Sequence, residues 1–144
     1  MTRKLALVAA MMLAVGGTAG AQSFDPIQTR KAGQDLVGAT FGGIKAVVTA
    51  NGDVKTLESS GKAISKWAAV FPTLFPAGSD KGDTKAAPAI WTDMAGFQKA
   101  AMRLSTASDS LAAGAKAGDA TAVAAAFKEM GEACGACHKE YRLK

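Results

Sequence analysis

Two thiols three positions apart, with an imidazole directly after the second, stand near the C-terminal end in Cys134-Gly135-Ala136-Cys137-His138. On a helix, positions i, i+3 and i+4 share one face, so all three side chains can meet one flat partner. This is the spacing that attaches a c-type haem: the thiols add across two vinyl groups as thioethers and the imidazole ligates the iron from the proximal side. These are the only two cysteines and the only histidine of the chain, so none is left for another role. A thioredoxin-like redox pair would need a βαβ setting, and no strand pattern surrounds the motif. A closed structural zinc site wants four ligands where this chain offers three. A plain disulfide and an accident of composition are the remaining bland readings. The reading is one haem c, covalent through Cys134 and Cys137, with His138 as the metal ligand.

Covalent haem of this kind is attached after export, and the N-terminus carries an export signal. Arg3 and Lys4 form a basic region, Leu5 to Val15 an apolar run, and Ala19-Gly20-Ala21 a small-residue cleavage site before Gln22. The apolar run is too short for a spanning helix, and nothing later is long and apolar enough. The expectation is a signal peptide over 1–21 and one domain over 22–144, periplasmic and free of the membrane after processing. Loss of Arg3 and Lys4 lowers the formal charge from +5 to +3. Two haem propionates lower it further, and no block of like charge points to nucleic acid. Abundant alanine and sparse β-branched residues favour helix throughout.

The helices that must position the motif can be read in order. Asp25 caps the first and Pro26 opens it, with Ile27, Val37, Phe41, Ile44 and Val48 on one face. Arg30 and Gln34 fall on that same stripe. Two polar residues on an apolar seam are costly to bury without partners, which places them beside a cofactor or at a solvent-facing end. Asn51-Gly52 is a turn, and Asp53 caps a second helix carrying Val54, Leu57, Ile64, Ala68 and Phe71. Trp67 lies beside this stripe, as core and as a large aromatic neighbour for the haem. Pro72 stops the helix, and residues 71–87 form a long connection of the functional or crossover kind. A third helix runs from Ala87-Pro88 to Gly118 with Ile90, Met94, Phe97, Ala101, Leu104 and Leu111 on its face. Asp119 caps the last, whose face is Val123, Phe127, Met130, Cys134, Cys137 and Tyr141. Four apolar seams and three connections predict an all-α, antiparallel four-helix bundle with the haem motif turned inward.

With its C-terminal Cys-x-x-Cys-His, Arg30 in the first helix, the Trp67 to Pro76 stretch, Ile90-Trp91 and Cys134 through Arg142, the chain resembles cytochrome c′, of the class II c-type cytochromes. The resemblance covers essentially the whole of 22–144. It implies a high-spin, five-coordinate haem with His138 as the only strong axial ligand, open to nitric oxide and carbon monoxide. Arg30 is then the partner of a haem propionate, and Arg142 lies near the proximal imidazole. In that family the sixth position is enclosed by an apolar residue four positions after the arginine, and in low-spin relatives by a ligating methionine. This chain departs from both, because the position is Gln34. No methionine occurs between the cleavage site and Met94, which argues against the methionine-ligated branch. Gln34 is a weak ligand at best, but its amide can donate a hydrogen bond to a bound gas or water. Family members are commonly homodimers through the first two helices, which is the expected assembly. Lys128, Lys139 and Lys144 form a solvated face that could also help dock a periplasmic redox partner. No general base is expected near the distal position, so the reading is of a binding protein that passes single electrons and not of an enzyme. The rival reading is a six-coordinate, low-spin electron carrier.

Overall fold

The structure, a computed structural model, describes residues 24–144, so the signal-peptide expectation for residues 1–21 lies outside the described residues. The first helix, α1, spans Pro26–Thr49. The Asp25 carboxylate accepts from the Ile27 and Gln28 amides at 2.8 and 3.2 Å, and Pro26 fills a position whose missing N–H costs nothing. Asn51, at φ 50°, makes the turn expected of Asn51-Gly52.

Two corrections follow in the middle of the chain. Asp53 caps a 3₁₀ turn over Val54–Leu57 and not the second α-helix itself, α2, which spans Glu58–Val70. A second 3₁₀ turn, Phe71–Leu74, contains Pro72. The single third helix of the sequence reading is two: α3, one turn over Ala89–Thr92, and α4, Met94–Ala117. The break is Asp93, at φ −134° and ψ 58°, whose carboxylate accepts from the Gly96 amide at 3.0 Å. An Asp that caps its own following helix competes with continuation of the preceding one. Gly118, left-handed at φ 72°, closes α4. Asp119 caps the last helix, α5, Ala120–Tyr141.

The four long helices α1, α2, α4 and α5 make the bundle. They do not pack equally. α4 lies along both α2 and α5, whereas α1 touches α2 and α5 only sparsely. Gly61 explains the close α2–α4 approach, since a Cβ there would stand 2.8 Å from the Ser108 carbonyl oxygen and 2.9 Å from the Ala112 amide. Ser65 and Ser105 join the same two helices, their hydroxyls 3.1 Å apart and both buried.

The apolar interior falls into two clusters. One gathers Ile44, Ile64, Leu111, Val123 and Met130 with Val54 and Leu57 of the first 3₁₀ turn. The other is aromatic: Phe75, Phe97 and Tyr141 around Ile90, flanked by Phe71, Trp91 and Cys137. Phe97 meets Phe75 and Tyr141 edge to face, with centroids 4.9 and 5.2 Å apart. Full burial of each large side chain contributes about 1.5–3 kcal/mol, so these clusters fix the register of α4 against α5. Among the described residues, no helix is long and apolar enough to cross a membrane.

Candidate functional site

Cys134, Cys137 and His138 lie in the last three turns of α5, a helix that its cap and its packing on α4 hold continuous to Tyr141. Both thiols are free and half-buried. Cys137 packs against the aromatic cluster. Burial raises both thiols above the usual range, Cys137 to about 11 with Cys134 as a second cause. They are therefore protonated at neutral pH and are not the depressed thiolates of a redox-active pair. His138 itself is exposed and not turned inward as the spacing predicts; its partial desolvation, and after it the positive charge of Arg142, pulls the imidazole below its ordinary value. A neutral imidazole is the form that binds metal.

The end of this helix is fastened twice. The Tyr141 hydroxyl donates to Asp93 Oδ2 at 2.9 Å. That contact passes over Gly96, where a Cβ would come within 2.0 Å of Asp93 Oδ2 and 2.5 Å of the Tyr141 oxygen. Beyond the helix, Ala86 and Arg142 form an antiparallel bridge. It is flanked by Ala87 N–H to Tyr141 O at 3.0 Å and Leu143 N–H to Lys85 O at 2.8 Å. The long connection is therefore ordered by the C-terminal residues it meets. Sequence reading missed Asp93 and Gly96 in this role. An Asp three residues ahead of a glycine at a helix start was the available signal for the cap, while its tie to Tyr141 is tertiary.

The same connection is held from the other side by Arg30, which is only 4% exposed. Its Nη1 donates to the Leu74 carbonyl at 3.0 Å and to Ser79 Oγ at 2.8 Å. Nη2 donates to the Ser79 carbonyl at 2.8 Å and reaches Thr84 Oγ1 at 3.5 Å. The guanidinium lies over the Phe75 ring, 4.3 Å from its centroid. Burial pushes its pKa down, and Asp25 acts in the opposite sense. Lys31 pairs with Asp83 nearby.

The other expected residues are placed as follows. Gln34 is exposed, and the buried residue at that level of α1 is Gly33. Trp67 explains why: a Cβ on Gly33 would fall 2.0 Å from the indole Cη2. The indole Nε1 is buried without a hydrogen-bond partner among the described residues. Such a donor costs about 1–3 kcal/mol when left unpaired. Arg142 sits at the end of α5, exposed, with its charge reaching His138.

Residues 25–142 match the family described as Cytochrome C′. The chain belongs to the cytochrome c′ family. Cytochrome c-556 of Agrobacterium tumefaciens (strain B2A) is 35% identical over 120 residues, covering 82% of this chain and 97% of that one. Cytochrome c′ of Rubrivivax gelatinosus is 35% identical over 123 residues, covering 83% and 95%. Among solved structures, cytochrome c′ from Thermochromatium tepidum superposes with a TM-score of 0.77 at 32% identity, over 83% of this chain and 95% of that one. Other structures of the family are a nitric oxide complex of an Alcaligenes xylosoxidans cytochrome c′ variant and a cytochrome c′ with ligand-controlled dimer dissociation.

The cytochrome c′ family binds haem c, and the residues present fit that group. Two free thiols share a helix face with a neutral-leaning imidazole. The indole N–H of Trp67 is an orphaned buried donor. α1 meets α5, the helix that carries the motif, only sparsely. Cys134 and Cys137 would hold the haem as thioethers and His138 would ligate its iron.

Proposed function

We propose that this cytochrome c′-type protein is exported to the periplasm and binds nitric oxide or carbon monoxide at a high-spin, five-coordinate haem, passing single electrons as a secondary role. When bound, the haem supplies an iron with one open coordination position. The chain's own contribution is to hold one strong axial donor, His138, and to withhold a second. That withholding carries the reading. The methionines of the described residues are Met94, Met102 and Met130, and α1 has none. Met94 packs on the aromatic cluster, Met130 is fully buried in the other core and Met102 is exposed on α4. The nitric oxide complex solved for a relative supports the ligand class, and the dimer described for another supports a homodimer here. Exposed Leu36 and the open glycines Gly38, Gly42 and Gly43 make α1 suitable for close contact with a second copy.

The deciding experiment is an absorption spectrum of the haem-loaded protein, oxidised and reduced, before and after nitric oxide. A broad high-spin reduced band that moves on adding the gas is the expected result. Sharp, split low-spin bands indifferent to the gas would establish the six-coordinate electron carrier instead. Gln34→Leu refines the distal side: five-coordinate character should rise and gas dissociation rates should change. Unchanged spectra and rates would remove Gln34 from the iron's surroundings.

A further inference from the structure

We infer that Tyr141 is a redox-active residue: when hydrogen peroxide drives the haem beyond its ferric state, the phenol gives it one electron and passes its proton to Asp93. This role rests on the open haem position proposed above. Tyr141 is the only tyrosine of the chain. Its ring belongs to the buried aromatic cluster against which Cys137, one turn earlier on α5, packs. A thioether at Cys137 therefore brings the edge of the macrocycle to the cluster that holds the ring. The other end of the side chain, its hydroxyl, donates to Asp93 Oδ2 at 2.9 Å. Asp93 is exposed, whereas Tyr141 is only 8% exposed. The electron and the proton thus have separate exits, one inward through the ring and one outward through a carboxylate that meets water.

The other oxidisable rings lack the second exit. Loss of an electron acidifies a phenol or an indole sharply, so a neighbouring base that takes the proton makes the electron easier to remove. Trp91 Nε1 donates to the Pro76 carbonyl at 3.2 Å, a neutral acceptor. The Trp67 N–H has no partner among the described residues. Among those residues, Tyr141 alone pairs an oxidisable ring with a carboxylate. The step balances as follows. Hydrogen peroxide takes up two electrons and two protons and becomes water, the electrons coming from the haem. Tyr141 replaces one of them; its O–H bond breaks, Asp93 becomes a carboxylic acid and the phenol a neutral phenoxyl. A surface groove lined by Gly96, Lys99 and Ala136 reaches Tyr141, where a small one-electron reductant such as ascorbate restores the phenol with the proton that Asp93 holds.

The test adds hydrogen peroxide to the full haem-loaded chain and follows haem absorbance together with freeze-quenched electron paramagnetic resonance. A tyrosyl signal is the expected result, and the wild type alone decides it, having no other tyrosine. Tyr141→Phe should abolish that signal. Asp93→Asn keeps a good helix cap but removes the base, so the tyrosyl signal should form about a hundredfold more slowly. Formation at the wild-type rate in Asp93→Asn overturns the inference. A haem spectrum indifferent to peroxide overturns the open haem position itself, and the role of Tyr141 with it. A spectrum that responds while only a tryptophanyl signal appears, or none, overturns the role of Tyr141 and leaves the open position standing.

Discussion

At the residue scale, Tyr141 shows how one side chain serves the motif without belonging to it. Its ring closes the aromatic cluster against Phe97 and its hydroxyl donates to Asp93. Burial first, and then the Asp93 carboxylate, raise its phenol above the ordinary value of 10.0. The folded chain thus keeps a proton at a pH where the unfolded chain has lost it. The stability contributed is complete below about pH 10 and is lost as pH rises through the folded value. Tyr141→Phe should therefore melt at a lower temperature at neutral pH and show a flatter decline above pH 10, as measured by thermal unfolding across a pH series. An equally steep alkaline decline in the variant would assign it to another group.

The element scale turns on how near helices come, and glycine marks it with opposite signs. Gly61 faces the α4 backbone, so Gly61→Val should destabilise by about 1–3 kcal/mol through forced separation of α2 and α4. On α1, a Cβ at Gly42 meets nothing within 4 Å. Gly42→Ala should stabilise the single chain by about 0.5–1 kcal/mol through backbone entropy, read at a protein concentration that keeps copies apart. Denaturant midpoints of the two variants check the pair, and equal effects would contradict the packing described. The elements themselves were largely legible in sequence. Asp25-Pro26, Asn51-Gly52, Gly118 and Asp119 act through their own neighbours, and local chemistry is what a sequence displays. The split at Asp93 was not read because the apolar spacing continues from Ile90 to Phe97 across it. The motif's three residues were legible for the same local reason. The partners of Arg30 and the seat of Trp67 arise between residues tens of positions apart, which periodicity does not encode.

For the whole molecule, the unequal packing decides what the cofactor does for the fold. α4 holds both α2 and α5, while α1 has thin contacts with α2 and α5 and an anchor through Arg30. Removing covalent haem with the double variant Cys134→Ser and Cys137→Ser should release α1 first. Hydrogen exchange is expected to accelerate across Pro26–Thr49 while the α4 amides stay protected. Uniform acceleration over all four helices would mean that the bundle is held as one unit. The mild positive charge of residues 22–144 does not specify a partner, so docking of a redox protein is expected to vary with salt only weakly.

The triangle of Asp93, Gly96 and Tyr141 carries a consequence for heredity. A carboxylate, a missing side chain and a phenol share a space in which a Cβ at position 96 would meet oxygen on two sides. A replacement at 96 must displace both oxygens, and it becomes easier to tolerate once position 93 loses its carboxylate, because the tyrosine hydroxyl then loses the partner that holds it in place. Mutations here are thus conditional on one another, and a suppressor of a Gly96 lesion is to be sought first at position 93. Lineages that keep the tyrosine and the aspartate are therefore expected to keep the glycine with them, and an alignment in which position 96 varies freely beside both would contradict it.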